Sequence, residues 1–257
     1  MKRSASWCVS GFLAAALVVL ASGCHEEDSF VVNTAFGSSR LSARPAAPNA
    51  LSTEKGVIWL TDTGTSGLVY VPESYQAGTP APLVLLLHGA GELPESMLKR
   101  FRASADTAGA LLLIPKSQEE SWDMLIGKYG PDRDFIDDKL KQVFSRFSVD
   151  PARVGIGGFS DGATYALSLG LSNGDVFQHI AAFSAGFVAP SELVGKPRVY
   201  MSHGTRDPVL SFDTSGKYIE YQLTNEKYSV EFHAFDGKHE LPADIAAEGF
   251  TFLVSDS

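Results

Sequence analysis

Eight short apolar runs punctuate the chain after residue 56: 57–61 (VIWLT), 67–71 (GLVYV), 82–87 (PLVLLL), 110–114 (ALLLI), 153–157 (RVGIG), 179–184 (HIAAFS), 198–202 (RVYMS) and 229–235 (SVEFHAF). Several are apolar at consecutive positions rather than alternating, which is the pattern of strands covered on both faces in a mostly parallel sheet. Segments of helical character fall between and after them, near 95–108, 132–147, 161–172, 213–224 and 242–255. Strands alternating with helices predict an α/β fold, with a mostly parallel central sheet of about eight strands flanked by helices. At 257 residues and 44% apolar content the chain can bury a sizeable core, and the folded body is expected over 56–257.

The first 23 residues have the layout of a signal peptide: a basic start, an apolar run too short to span a bilayer, then small residues. The stretch LASGC (20–24) resembles the lipobox of bacterial lipoproteins, with Ala21 where Leu is usual, and would leave a lipid on Cys24. Ordinary cleavage would instead leave Cys24 as a free thiol in a secreted protein. Either way the protein is expected to be exported, as a cell-envelope lipoprotein on the first reading, with residues 24–55 as a lipid-anchored or flexible tether. Only Cys8 and Cys24 exist, so the exported part has no internal disulfide to rely on. It carries 19 basic and 30 acidic residues, a formal charge of −11, which argues against nucleic acid as a partner.

In an open α/β sheet, sites form at the carboxyl ends of strands. Four polar stretches fall there: HGAGE (88–92), GGFSDG (157–162), SHGTRD (202–207) and DGKHE (236–240). Gly158, Ser160 and Gly162 spell G-x-S-x-G between a strand and a helix, a turn that exposes a serine on a strained elbow at a helix amino terminus. A serine hydroxyl becomes nucleophilic only beside a base that is itself oriented by a third group. On such sheets the chain order is serine, acid, histidine. His239, in the loop before the last helix, is the candidate base, and Asp207 the candidate acid, with Asp213 and Asp236 as alternatives. Oxyanion donors are expected at the backbone N–H groups of Asp161 and of Ala90, with Gly91 second to Ala90. His88 reads as a structural support of its loop. No metal-ligand spacing or dinucleotide fingerprint is present, so neither a metal nor another cofactor is expected.

These motifs resemble the α/β-hydrolase superfamily. Within it they are similar to esterases of the polyhydroxybutyrate-depolymerase-like, feruloyl-esterase-like and phospholipase/carboxylesterase-like groups. LLLHGAGE (85–92), WDMLIGKYGPDRDFID (122–137), DPARVGIGGFSDGATYA (150–166), SHGTRDPVL (202–210) and GKHELP (237–242) carry the resemblance, in that order. It implies an esterase triad of Ser160, Asp207 and His239, with Ala90 and Asp161 as oxyanion donors. It further puts Gly91 near the substrate, and Trp122 or Tyr129 near the cleft, where one aromatic would line an acyl or aryl pocket. Asp161 departs from the usual Gly, Gln or Met, bringing a carboxylate beside a site that must stabilise negative charge. Only about a dozen residues separate AAFSAG from RVYMSHG, too few for a lid domain at that position. The function expected is serine-dependent hydrolysis of small to medium carboxylic esters. A serine peptidase on the same scaffold, or a lipid-tethered binding protein without chemistry, would share the same residues.

Overall fold

The computed structural model describes residues 32–61 and 66–256. Eight strands form one sheet: β1 (Gly56–Thr61), β2 (Ser66–Val71), β3 (Ala81–Leu87), β4 (Leu111–Pro115), β5 (Val149–Phe159), β6 (His179–Phe183), β7 (Arg198–Gly204) and β8 (Val230–Phe235). Their spatial order is β1-β2-β4-β3-β5-β6-β7-β8. The β1–β2 and β2–β4 pairs are antiparallel, and every other pair is parallel. Every residue of β3, β4 and β6 is buried, as their unbroken apolar runs require of strands covered on both faces.

Among the described residues, six α-helices surround the sheet: α1 (Pro94–Ala108), α2 (Asp123–Ile126), α3 (Pro131–Arg146), α4 (Asp161–Ser172), α5 (Gly216–Asn225) and α6 (Ala243–Leu253). Pro94 and Pro131 open α1 and α3, where a missing N–H costs nothing, and Gly109 closes α1 in the left-handed conformation. One core layer sits under α3, α4 and α5, around Leu85, Ile156, Leu167 and Val199. The other packs α1 and α6 against Leu86, Leu112, Phe183 and Tyr200. From Gly162 to Ser172, α4 is buried at every residue, which explains its run of Ala, Leu, Gly and small hydroxyl side chains.

The segment expected to be a tether is folded onto the body from Asn33 onward, so a flexible 24–55 is corrected for that part. Leu41 and Ala43 are 3% and 1% exposed. Asp137 accepts the backbone N–H groups of Ser42 and Ala43, both at 2.7 Å, and Arg40 bonds both carboxylate oxygens of Asp175 at 2.9 Å. Asn173, fully buried, accepts Leu41 N–H at 2.8 Å and donates to Ser39 O and Leu169 O. Composition misled here because polar residues spaced along an extended strip can each find a partner without periodicity. The signal peptide and Cys24 lie outside the described residues. Asn173→Ala should leave one buried N–H and two buried carbonyls without their partner, and lower stability by about 1–3 kcal/mol in urea denaturation.

Candidate active site

The two glycines of the G-x-S-x-G turn are dictated by backbone proximity. A Cβ on Gly158 would lie 2.3 Å from Gly162 O, and one on Gly162 would lie 2.2 Å from Leu87 O. Between them Ser160 adopts φ 56° and ψ −119°, a conformation side chains rarely occupy. Its own N–H is anchored to Phe183 O at 2.9 Å, which ties the turn to the end of β6. The hydroxyl is left standing clear of the sheet edge, at the first turn of α4.

The loops after β7 and β8 bring the other two residues to it. His239 Nδ1 lies 2.7 Å from Asp207 Oδ2, and His239 Nε2 lies 2.8 Å from Ser160 Oγ. A carboxylate only accepts, so Nδ1 donates and Nε2 is left to accept the serine hydroxyl. The Asp207 side chain has no solvent exposure. Its burial opposes ionisation, but the N–H groups of Leu210 and Val209, together with His239, outweigh that cost and hold its pKa below the usual carboxylate value. The alternative acids are engaged elsewhere: exposed Asp213 pairs with Lys217, and exposed Asp236 with Arg206. His233 is bonded to Glu231, and His179 is buried at the start of β6 with its pKa lowered by desolvation to about 4.

Neither Asp161 N–H nor Ala90 N–H is bonded to another group among the described residues. Ala90 is exposed, on a loop whose Gly89 sits close enough that its Cβ would be 3.5 Å from Ser160 Cβ. Gly91 N–H, in contrast, donates to Glu120 O at 2.7 Å, which removes it as an alternative oxyanion donor. Gly91 instead lines a cleft of about 320 Å³ together with Leu93, Lys116, Gln118 and Glu120. The Asp161 carboxylate accepts the Ser121 hydroxyl at 2.5 Å.

The aromatic pocket expected at Trp122 or Tyr129 is corrected. Trp122 is 0% and Tyr129 5% exposed. Trp122 donates its indole N–H to His88 O at 2.9 Å and packs between His88 and Tyr165. Trp122 thus supports the 88–90 loop from beneath, and Tyr129 packs against Tyr165 behind it. His88 holds that loop as expected, accepting Ser117 N–H and contacting Gly89 O, and burial lowers its pKa.

Two supports were not legible in the chain. His203, fully buried, donates Nε2–H to Leu210 O at 2.9 Å and lies 3.4 Å from Asp207 Oδ2. Its position in SHGTRD, four residues before the acid, was the available signal. The second support is a reciprocal pair. Asp123 accepts Asp132 N–H at 2.9 Å, while Asp132 accepts Asp123 N–H at 2.7 Å and Gln118 N–H at 2.7 Å. Together they fix the segment carrying Ser121 and Trp122. No group of three or more His, Cys, Asp or Glu among the described residues is arranged to hold a metal.

Comparison with known proteins agrees with this architecture. A sequence model of the phospholipase/carboxylesterase family matches residues 132–253. NocK of Nocardia uniformis subsp. tsuyamanensis, a protein assigned as an esterase, is 29% identical over 181 residues, covering 66% of this chain and 52% of that protein. The chain thus spans about half the length of that relative. Among solved structures, esterase PE8 superposes with a TM-score of 0.60 at 22% identity, over 74% of this chain and 98% of its own. The S-formylglutathione hydrolase FrmB of Staphylococcus aureus gives 0.61 at 17% identity, over 79% and 100%. A ferulic acid esterase from Anaeromyces mucronatus, solved with ferulic acid, gives 0.59 at 16%, over 84% and 98%. The chain has the α/β-hydrolase fold. Over residues 132–253 it carries the pattern of the phospholipase/carboxylesterase family.

Burial raises the Asp132 pKa to about 6, with the Asp123 charge adding to it. Between the ordinary carboxyl range near pH 4 and about pH 6 the unfolded chain is ionised while the folded chain keeps the proton. This group's contribution to stability is therefore largest at low pH and falls as pH rises through that window. Relative to Asp132→Asn, wild type should lose about 1–3 kcal/mol of unfolding free energy between pH 4 and pH 7. A difference between the two that does not change with pH would contradict this.

Proposed function

We propose that this protein is a serine carboxylic-ester hydrolase acting through an acyl-enzyme on small to medium esters. The observation that carries the reading is the pair of hydrogen bonds linking Asp207, His239 and Ser160, at 2.7 and 2.8 Å. Ser160 Oγ attacks the ester carbonyl carbon while His239 Nε2 takes its proton. Negative charge collects on the former carbonyl oxygen, where Ala90 and Asp161 present free N–H groups, and Asp207 stabilises the imidazolium formed. As the intermediate collapses, His239 returns the proton to the departing alcohol oxygen. Water then attacks the acyl-serine by the same route and restores the hydroxyl.

The esterase assignment of NocK supports the reaction class. The Asp161 carboxylate, engaged by the Ser121 hydroxyl, leaves only its N–H in the proposed role. The small leaving groups envisaged suit a site bordered by loops rather than a lid. One structural neighbour is solved in complex with ferulic acid and another with malic acid, both compact carboxylic acids. We also propose export with a lipid on Cys24; mass spectrometry of the protein from its native membranes would find an acylated Cys24 at the mature amino terminus, and an unmodified one would refute it.

Turnover of p-nitrophenyl acetate and butyrate tests the reaction. Ser160→Ala should lower kcat by about 10⁴-fold or more, and Asp207→Asn by about 10³–10⁴-fold, with the fold retained. Unchanged turnover in Ser160→Ala would refute the assignment, and a parallel peptide assay distinguishes an esterase from a peptidase.

A further inference from the structure

The loop that presents Ala90 N–H is held by a carboxylate. Glu92 Oε2 accepts the Ser96 hydroxyl at 3.0 Å and lies 3.4 Å from Gly89 N, and Glu92 N–H closes a turn onto Gly89 O at 3.1 Å. A negative charge two residues from a proposed oxyanion donor works against the charge that the donor must stabilise. Arg100, two turns along α1, meets it with Nη1 and Nη2, at 2.7 Å each. The side chains are only 29% and 26% exposed, so water screens the pair incompletely.

Arg100 also reaches the other half of the site. Its guanidinium lies over the Phe159 ring, 5.2 Å from the centroid, and the same ring packs against His239 at 5.1 Å. Phe159 immediately precedes the nucleophile, and its Cδ1 would lie 3.5 Å from a Cβ on Gly89. One guanidinium thus touches both the carboxylate that holds the 89–92 loop and the ring on which the base rests.

We propose that the Glu92–Arg100 pair is a positioning device for the reaction: Glu92 holds the Ala90 loop in place, and Arg100 cancels its charge while steadying Phe159 beneath His239. This rests on the hydrolase reading above. Neither side chain belongs to the hydrogen-bonded chain of Asp207, His239 and Ser160, so in this proposal both act through the donor and the base.

The two roles give a pattern that loss of packing alone would not produce. Arg100→Met keeps a long side chain over Phe159 but leaves Glu92 charged and unpaired beside the developing oxyanion. Glu92→Gln loosens the loop but leaves no opposing charge. The double variant removes the charge that makes Arg100→Met harmful. With p-nitrophenyl butyrate, Arg100→Met should lower kcat about 100-fold and Glu92→Gln about 10-fold, with KM changed by less than about 3-fold. Glu92→Gln/Arg100→Met should recover about 5- to 10-fold over Arg100→Met although its melting temperature is no higher. Arg100→Lys, which keeps the charge but not the two-pronged bond, should fall between wild type and Arg100→Met. An active wild type with unchanged kcat in Arg100→Met, or with no recovery in the double variant, or with kcat losses that simply follow melting temperature across the four variants, would overturn the proposal alone. An inactive wild type would overturn the hydrolase reading, and the brace with it.

Discussion

The site depends on one forced turn of backbone, in which Ser160 is held at φ 56° between two glycines that have no room for a side chain. A residue in that conformation costs about 1–3 kcal/mol relative to an ordinary one and persists only where its surroundings leave no alternative. Those surroundings are the ends of two strands and the first turn of a helix. Leu87 O presses on Gly162 from β3, Gly162 O presses on Gly158 from α4, and Phe183 O holds Ser160 N–H from β6. The strained turn is what frees the Asp161 N–H and lifts the hydroxyl to where a loop from the far side of the sheet can reach it.

Sheet order does the rest. With β5 central, the β3 loop arrives on one side of Ser160 and the β7 and β8 loops on the other, so the proposed donor, acid and base come from separate crossovers. Each is then fixed by partners of its own. Asp207 is surrounded by Val209 N–H, Leu210 N–H, His239 and the nearby His203, which suits a carboxylate with no access to water. The 88–92 loop rests on Trp122 and His88 and is gripped by Glu92. These hydrogen bonds hold both loops in place, consistent with a site whose geometry is set before substrate arrives.

Much of this was legible in the chain because it follows from local pattern. Strand after strand lies within a residue or two of its apolar run, and the turn at Ser160 announces itself by its glycines. What local pattern could not convey was which polar residues would be spent on structure. Asp132 looks like a helix start, yet it and Asp123, nine positions apart, each accept the other's backbone N–H. Trp122 looks like a pocket wall, yet its indole N–H has a buried carbonyl to satisfy, and that decides its orientation. Residues 33–55 read as a tether because their partners, Asn173, Asp137 and Asp175, are about a hundred residues or more away in the chain. The β5 strand likewise starts at Val149, earlier than its apolar run, because a register shift lets Val149 pair with Ala81 before the regular ladder begins at Val154.

The central claim is that a strained serine becomes a nucleophile only because His239, itself held by Asp207, takes its proton. Covalent labelling with a fluorophosphonate, followed by peptide mass spectrometry, reads that reactivity without reference to any substrate. The account predicts a single adduct on Ser160 in the wild-type protein and labelling slowed by orders of magnitude in His239→Ala. An adduct on another residue, or equal labelling rates with and without the imidazole, would contradict it.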